Sequence, residues 1–406
     1  MTAEAAGTHE THETAETHES AESAESAESA ESAESAEQAP ATADPRRDVF
    51  FVSNSVDELG GVTSWSHQMA RLFTGRGHRV HVVGITPPEV AQELGEVPYP
   101  TTTLYAGQPP RPGRAREASM REEAAKLTAL FRAARPGAVV IVTQVWAMEW
   151  VARADTRGLT VIGMSHESYA YSKASSRFHR VRTHYRDVDR MLALTREDAD
   201  LWIGQGMNNA SYMPNPLPFM PEVPSARTED VVVSIGRLHD QKGIDMLLDT
   251  WAEVAPRHPG WRLRIYGSGE DEEILRKQCT ALGLDGSVDW MGRTSDVPGA
   301  LRGGSVFAQS SRGEGFPLAL MEAMAMGVPC AAFDCAPGVH EIVRDGEDGL
   351  LAGPGNSGEL ARRLDALMSD QGLRDGMGDR ARANIRRYAP DTIVRRWEDL
   401  FGFLER

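Results

Sequence analysis

Cysteine is scarce in this sequence: Cys279, Cys330 and Cys335 are the only three. They form neither a C-x-x-C pair nor a Cys/His metal spacing, and an odd, sparse set is a poor disulfide framework. Packing roles in a reducing, cytosolic setting are expected of them. Long apolar runs are missing as well. The longest uncharged one, AVVIVTQVWAM (138 to 148), is too short to span a bilayer, and no basic start followed by an apolar run opens the chain. Neither a membrane helix nor a secretion signal is expected. Lys and Arg are absent from the first 44 positions, where eleven Glu and Asp44 hold −12 of the formal charge of −16 and leave −4 for residues 45–406. So mildly acidic a remainder gives no reason to expect nucleic acid as a partner.

Residues 8–37 read THE THE TAE THE and then SAE six times, which places Glu at every third position from Glu10 to Glu37. A period of three drifts around a helix and leaves no apolar stripe, so residues 1–45 are expected to form a disordered, low-complexity acidic tail. His9, His12 and His18 give it an alternative reading as a partner-binding or metal-binding tail.

From Arg46 the texture changes. Apolar β-rich runs, DVFFVSN (48 to 54), RVHVVGI (79 to 85), VVIVTQ (139 to 144), TVIGMSH (160 to 166) and RMLALT (190 to 195), alternate with helical stretches. Unbroken apolar strands separated by helices indicate a parallel sheet covered on both faces, hence a doubly wound α/β domain over 46–217. The proline-rich YMPNPLPFMPEVP (212 to 224) blocks helix and central strand alike and reads as a linker. The rhythm then restarts with VVVSIGR, RLRIYGSG, SVDWMGR, SVFAQSS and PCAAFDC, giving a second such domain over 225–389. Two such sheets with their carboxyl ends facing would enclose a deep cleft, and the chemistry is expected there.

The stretch EGFPLALMEAMAMG (314 to 327) carries two carboxylates eight positions apart. Pro317 suits the first turn of a helix, which puts Glu314 in the loop before it and Glu322 on its second turn. Carboxylates accept from vicinal hydroxyls, so this spacing fits an extended ligand with a polyol at each end, as a nucleotide-sugar has. Its diphosphate needs donors. Arg237 and Lys242 in SIGRLHDQKGID stand between a strand and a helix, where cations and helix N–H groups share an anion. Gly60 and Gly61, between the first strand and the first helix, permit close approach of backbone to phosphate or acceptor.

Residues 46–406 resemble the family 4 retaining glycosyltransferases of the GT-B fold, in which two facing Rossmann-like domains hold a nucleotide-sugar. The most specific shared feature is E-x7-E, Glu314 to Glu322; GRLHDQKG and the early Gly-Gly support it. The resemblance implies that Glu314 contacts hydroxyls of the transferred sugar, assisted by Gly315 and by backbone N–H groups near Phe316 and Leu318. It also implies that Glu322 binds the ribose and that Arg237 and Lys242 hold the diphosphate. His166 in GMSHES would lie near the sugar, and the base against Gly267 to Gly269 and Gly292 to Thr294, including Arg293. A C-terminal helix within 390–406 would cross back onto the first domain. Transfer with retention is implied, with the leaving phosphate oxygen taking the acceptor proton. No metal or other cofactor is implied, and no Asp-x-Asp pair stands at a cleft strand end. Similarity of AAFDCAPGVHEIV (331 to 343) to UDP-sugar users suggests a UDP-linked hexose or N-acetylhexosamine as donor. The expected acceptor is a cell-envelope glycan, a glycolipid or lipid-linked glycan, or a teichoic-acid-like polyol-phosphate polymer.

YGSGEDEE lacks the third glycine of a dinucleotide fingerprint, which argues against an NAD site. KASSRFHRVRTHYRDVDR (173 to 190) interleaves six basic residues with aromatics and histidines. It reads as a face for a phosphate-bearing acceptor, as one for the anionic inner surface of the cell membrane, or as a solvated helix. Two rival functions share the donor site: a nucleotide-sugar epimerase and a non-catalytic sugar-nucleotide-binding protein.

Overall fold

The computed structural model describes residues 46–405; the expectations for the tail lie outside them. The first half contains strands β1 (Asp48–Ser53), β2 (Arg79–Gly84), β3 (Thr101–Thr103), β4 (Val139–Val142), β5 (Thr160–Met164), β6 (Arg190–Ala193) and β7 (Ala210–Tyr212). They form one sheet in the order β3-β2-β1-β4-β5-β6-β7, with every pairing parallel. The second half adds β8 (Val231–Ile235), β9 (Arg262–Tyr266), β10 (Val288–Gly292), β11 (Val306–Gln309), β12 (Cys330–Phe333) and β13 (Gly349–Ala352). Their order is β10-β9-β8-β11-β12-β13, again all parallel.

The apolar runs explain both sheets. In β1 every residue is buried, and successive side chains serve opposite layers. Val49 and Phe51 pack with Trp65, Met69 and Phe73 of helix Gly61–Gly75, whereas Phe50 and Val52 pack with Met120, Leu127 and Phe131 of helix Arg114–Arg132. Crossover helices therefore cover both faces, and the strand order reverses beside β1 in one sheet and beside β8 in the other. The crevices at such reversals, outside the carboxyl ends of the strands, are where ligands enter open α/β sheets.

Residues 213–230 contain neither helix nor strand, and Tyr212, at the head of the proline-rich stretch, still belongs to β7. Gln68 of the first helix donates to the Leu217 carbonyl (2.9 Å), and the Leu217 N–H bonds to the carbonyl of Tyr388 (2.8 Å). Helix Pro390–Leu404 packs on the first half: the Phe401 and Trp397 rings lie 5.5 and 6.2 Å from Phe73, and Arg76 pairs with Glu398 at 2.7 Å. One apolar cluster consequently runs from β1 through Leu217 and Trp397 to Phe316, Leu320 and Met324. Among the described residues no helix is long and apolar enough to cross a membrane.

Candidate active site

The loops after β1 and β8 face each other across a cavity of about 630 Å³. Gly60, Gly61 and Ser64 line it from the first half; Arg237, Lys242, Gly267, Gly269 and Arg293 line it from the second. Arg237 and Arg293 are exposed, so cationic groups meet an entering anion at this wall. The two glycine pairs differ in kind. A Cβ at Gly267, where φ is +151°, would fall 1.8 Å from the Gly236 carbonyl oxygen, so the protein's own backbone requires glycine there. At Gly60 and Gly61 a Cβ would meet nothing within 4 Å. Any need for their small size comes from what enters the cavity.

Lys242 ends a 3₁₀ turn, Asp240–Lys242, and extends its ammonium to Glu314 Oε1 at 2.7 Å. Ser311 Oγ donates to the same oxygen at 2.6 Å. Glu314 is 8% exposed, so its carboxylate leaves water only with these two partners in place. The loop beneath it is tight: a Cβ on Gly315 would stand 2.0 Å from the carbonyl oxygen of His166, which brings the end of β5 against the carboxylate loop. Phe316 is buried, and its carbonyl accepts from Asn215 at 3.4 Å. Pro317 corrects the expectation of a first-turn proline. It is the N-cap of helix Leu318–Ala325, with φ −69° and ψ 108°, so the helix starts at Leu318, whose N–H has no intrahelical acceptor. Around this helix every side chain except Glu322 is apolar, as suits a buried helix. Glu322 sits on its second turn without a hydrogen-bond partner among the described residues, and burial pushes its carboxyl up to about 7.

A second cavity, about 340 Å³, opens at the carboxyl end of the first sheet. Asn54 after β1, Gln144 after β4, His166 and Glu167 after β5, and Arg177 and Arg180 of helix Arg177–His184 contribute to its wall. His166 is packed edge-on to Trp65, with ring centroids 4.7 Å apart, and burial pushes its imidazole down to about 4, so it is neutral near pH 7. Val62 lines this cavity while Gly60, Gly61 and Ser64 line the larger one, so the start of the first helix divides them.

Comparison with known proteins follows these two halves. The family model described as Glycosyltransferase Family 4 matches residues 59–218, and that for Glycosyl transferases group 1 matches residues 219–384. An uncharacterized glycosyltransferase of Haemophilus influenzae is 34% identical over 239 residues, 58% of this chain and 68% of that protein. The chain belongs to the family 4 glycosyltransferases. This glycosyltransferase is also 28% identical, over 177 residues, to the poly(ribitol-phosphate) alpha-N-acetylglucosaminyltransferase of Staphylococcus aureus. That stretch spans 43% of this chain and 36% of the relative's length. Anabaena HepE, solved in complex with UDP and glucose, superimposes with a TM-score of 0.74 at 19% identity, covering 88% of this chain and 100% of HepE. The likeness places the glycosyltransferase in the GT-B fold.

The residues singled out in the sequence thus fall into three neighbouring groups. Arg237, Lys242, Arg293 and the glycines 60, 61, 267 and 269 share one cavity; Glu314, Gly315, Phe316, Leu318 and Glu322 form the loop and helix behind Lys242; His166 lines the other cavity. Sequence reasoning missed Ser311, Asn54, Gln144 and Glu167. Each is a polar residue just past the end of an apolar strand, and that position was the available signal. The basic stretch 173–190 proves to hold an eight-residue helix with Arg177, Arg180 and Arg182 exposed, two of them on the second cavity. No group of three or more His, Cys, Asp or Glu among the described residues is placed to hold a metal ion.

Proposed function

We propose that this glycosyltransferase moves a hexose or N-acetylhexosamine from a UDP-linked donor to a hydroxyl of a cell-envelope glycan or polymer, with retention of anomeric configuration. The observation that carries the reading is the cavity that sets Arg237, Lys242 and Arg293 opposite Gly60 and Gly61, with Glu314 held on Lys242 behind it. Arg237 and Lys242 neutralise the diphosphate, Glu314 orients hydroxyls of the sugar, and Glu322 accepts from the ribose. As the bond from the anomeric carbon to phosphate oxygen breaks, charge grows on the diphosphate, and donors fixed in advance stabilise it most in the transition state. The acceptor hydroxyl attacks on the face the diphosphate leaves and passes its proton to the departing phosphate oxygen, so nucleoside diphosphate and glycoside form without a protein base. Neutral His166 packs beside the sugar. The reaction needs no metal, because side-chain cations do the neutralising.

Support for UDP comes from the complex of the similarly folded HepE, and support for an envelope polymer from the relative that acts on poly(ribitol-phosphate). The test is a thermal-shift screen of UDP, GDP, ADP and their sugar conjugates against the wild type and Glu322→Ala. Stabilisation by UDP and UDP-sugars alone, weakened in the variant, is expected. Absence of stabilisation by every nucleotide would overturn the reading, and selective stabilisation by GDP or ADP would overturn its choice of donor.

A further inference from the structure

Residues that line the second cavity carry buried polar atoms whose partners are missing. Asn54 Oδ1, His166 Nε2 and Glu167 Oε2 are all buried without a hydrogen-bond partner, and all three residues line this one space. Burying such an atom unpaired forfeits the hydrogen bonds that water gave it, so three together mark a place shaped for something that supplies the bonds. Glu167 is half satisfied: Arg177 takes Oε1 at 2.6 Å and leaves Oε2 open. An amide oxygen and a carboxylate oxygen can only accept, so the occupant must donate, through hydroxyl or ammonium groups. The rim decides between these. Arg177 and Arg180 stand there exposed, and the nearest carboxylate to Arg180, that of Glu149, is 3.9 Å away. Lys173, Arg182 and Arg186 extend the exposed positive charge along the same segment. A cation is repelled by such a rim, whereas an anion is drawn to it.

Resting on the transfer reaction above, we infer that this cavity is the acceptor subsite and that it takes a polyol unit bearing a phosphate. Hydroxyls of the unit donate to Asn54 and Glu167 on the floor, and the phosphate lies against Arg177 and Arg180 at the mouth. The volume is at the small end of ligand pockets and suits one such unit of a longer chain. The start of helix Gly61–Gly75, shared by both cavities, then places the unit beside the donor cleft.

The probe is sn-glycerol 3-phosphate, titrated by ligand-observed NMR against the wild type, Arg177→Gln/Arg180→Gln and Asn54→Ala, with glycerol and phosphatidylglycerol vesicles run in parallel. Expected are binding of the phosphate ester but not of glycerol, a Kd at least about 10-fold weaker in the double variant, and a smaller weakening in Asn54→Ala. Equal binding of glycerol, or an unchanged Kd in the double variant, overturns the inference. So does a double variant that loses vesicle binding while keeping its Kd for the ester, because the rim would then be a membrane surface. UDP binding by thermal shift reports separately on the donor cavity. A wild type that binds UDP but not the ester refutes the subsite alone; one that binds the ester but not UDP refutes the donor reading alone.

Discussion

Glu322 is the single charged side chain of helix Leu318–Ala325, and its burial has a measurable consequence for stability. Burial raises its carboxyl from the ordinary value of 4.5 to about 7. The unfolded chain therefore loses this proton at lower pH than the folded one, and stability falls as pH rises from about 4.5 to about 7. Glu322→Gln is expected to gain about 1–3 kcal/mol in unfolding free energy at pH 8 relative to its effect at pH 4, while UDP binding weakens. Denaturant melts at the two pH values check it. Glu314 presents the opposite case, a buried carboxylate whose cation is already in place. Glu314→Ala is expected to lower kcat by about 10²-fold or more, with donor KM changed far less. Lys242→Ala is expected to act on kcat in the same sense, since the charge it meets grows during the reaction. Steady-state kinetics with saturating acceptor separate the two parameters. Glu314 was legible in the sequence through the E-x7-E spacing, and Lys242 through its place between a strand and a helix. Ser311, which donates to the same carboxylate, carried no motif and emerged only when the loop was folded.

Strands were legible in the sequence where their apolar or alternating runs were long enough to stand out. The central strands announce themselves as VVIV or DVFFVS, but β3, β7 and β13 were not anticipated, and each is a sheet edge of three or four residues. A short edge strand gains one neighbour only, so its sequence is under little demand to be continuously apolar. TTT and ASY show this. The carboxylate loop depends on a different kind of fit. Gly315→Ala would drive a Cβ into the His166 carbonyl, so the loop must move and carry Glu314 with it. Activity is expected to fall by about 10²-fold with a lowered Tm; wild-type activity in this variant would mean that the loop tolerates the shift. Helix Pro390–Leu404 is held by fully buried Trp397 against Phe73 and Trp65. Trp397→Ala is expected to cost about 3–5 kcal/mol, measured by chemical denaturation.

At the scale of the whole molecule the two sheets are tied by charged contacts as well as by the apolar cluster. His340 of helix Pro337–Ile342 bonds Asp334 at 2.6 Å and reaches Glu197, at the start of helix Arg196–Ile203 in the other half, at 3.1 Å. Its neighbour Glu341 accepts the Arg196 N–H at 2.8 Å. Burial lowers the His340 pKa, but the bonds to Asp334 and Glu197 outweigh it and leave the group raised. A histidine raised on folding contributes its full stability below its unfolded value, near 6.5, and loses it as pH climbs through the folded value. The Tm of the wild type is therefore expected to fall more steeply than that of His340→Ala between about pH 6 and about pH 8. Parallel melting curves would show that the contact ties nothing. The amino-acid sequence by itself determined the two parallel sheets and the E-x7-E carboxylates, because apolar strand runs and motif spacing are local properties written in consecutive residues. Only the tertiary structure decided that Lys242 meets Glu314, that His166 meets Gly315, and that Asn54, Glu167 and Arg177 share one cavity. Those partners come from loops at the ends of different strands, and which loops meet depends on the order of strands in the sheets and on the way the two sheets face.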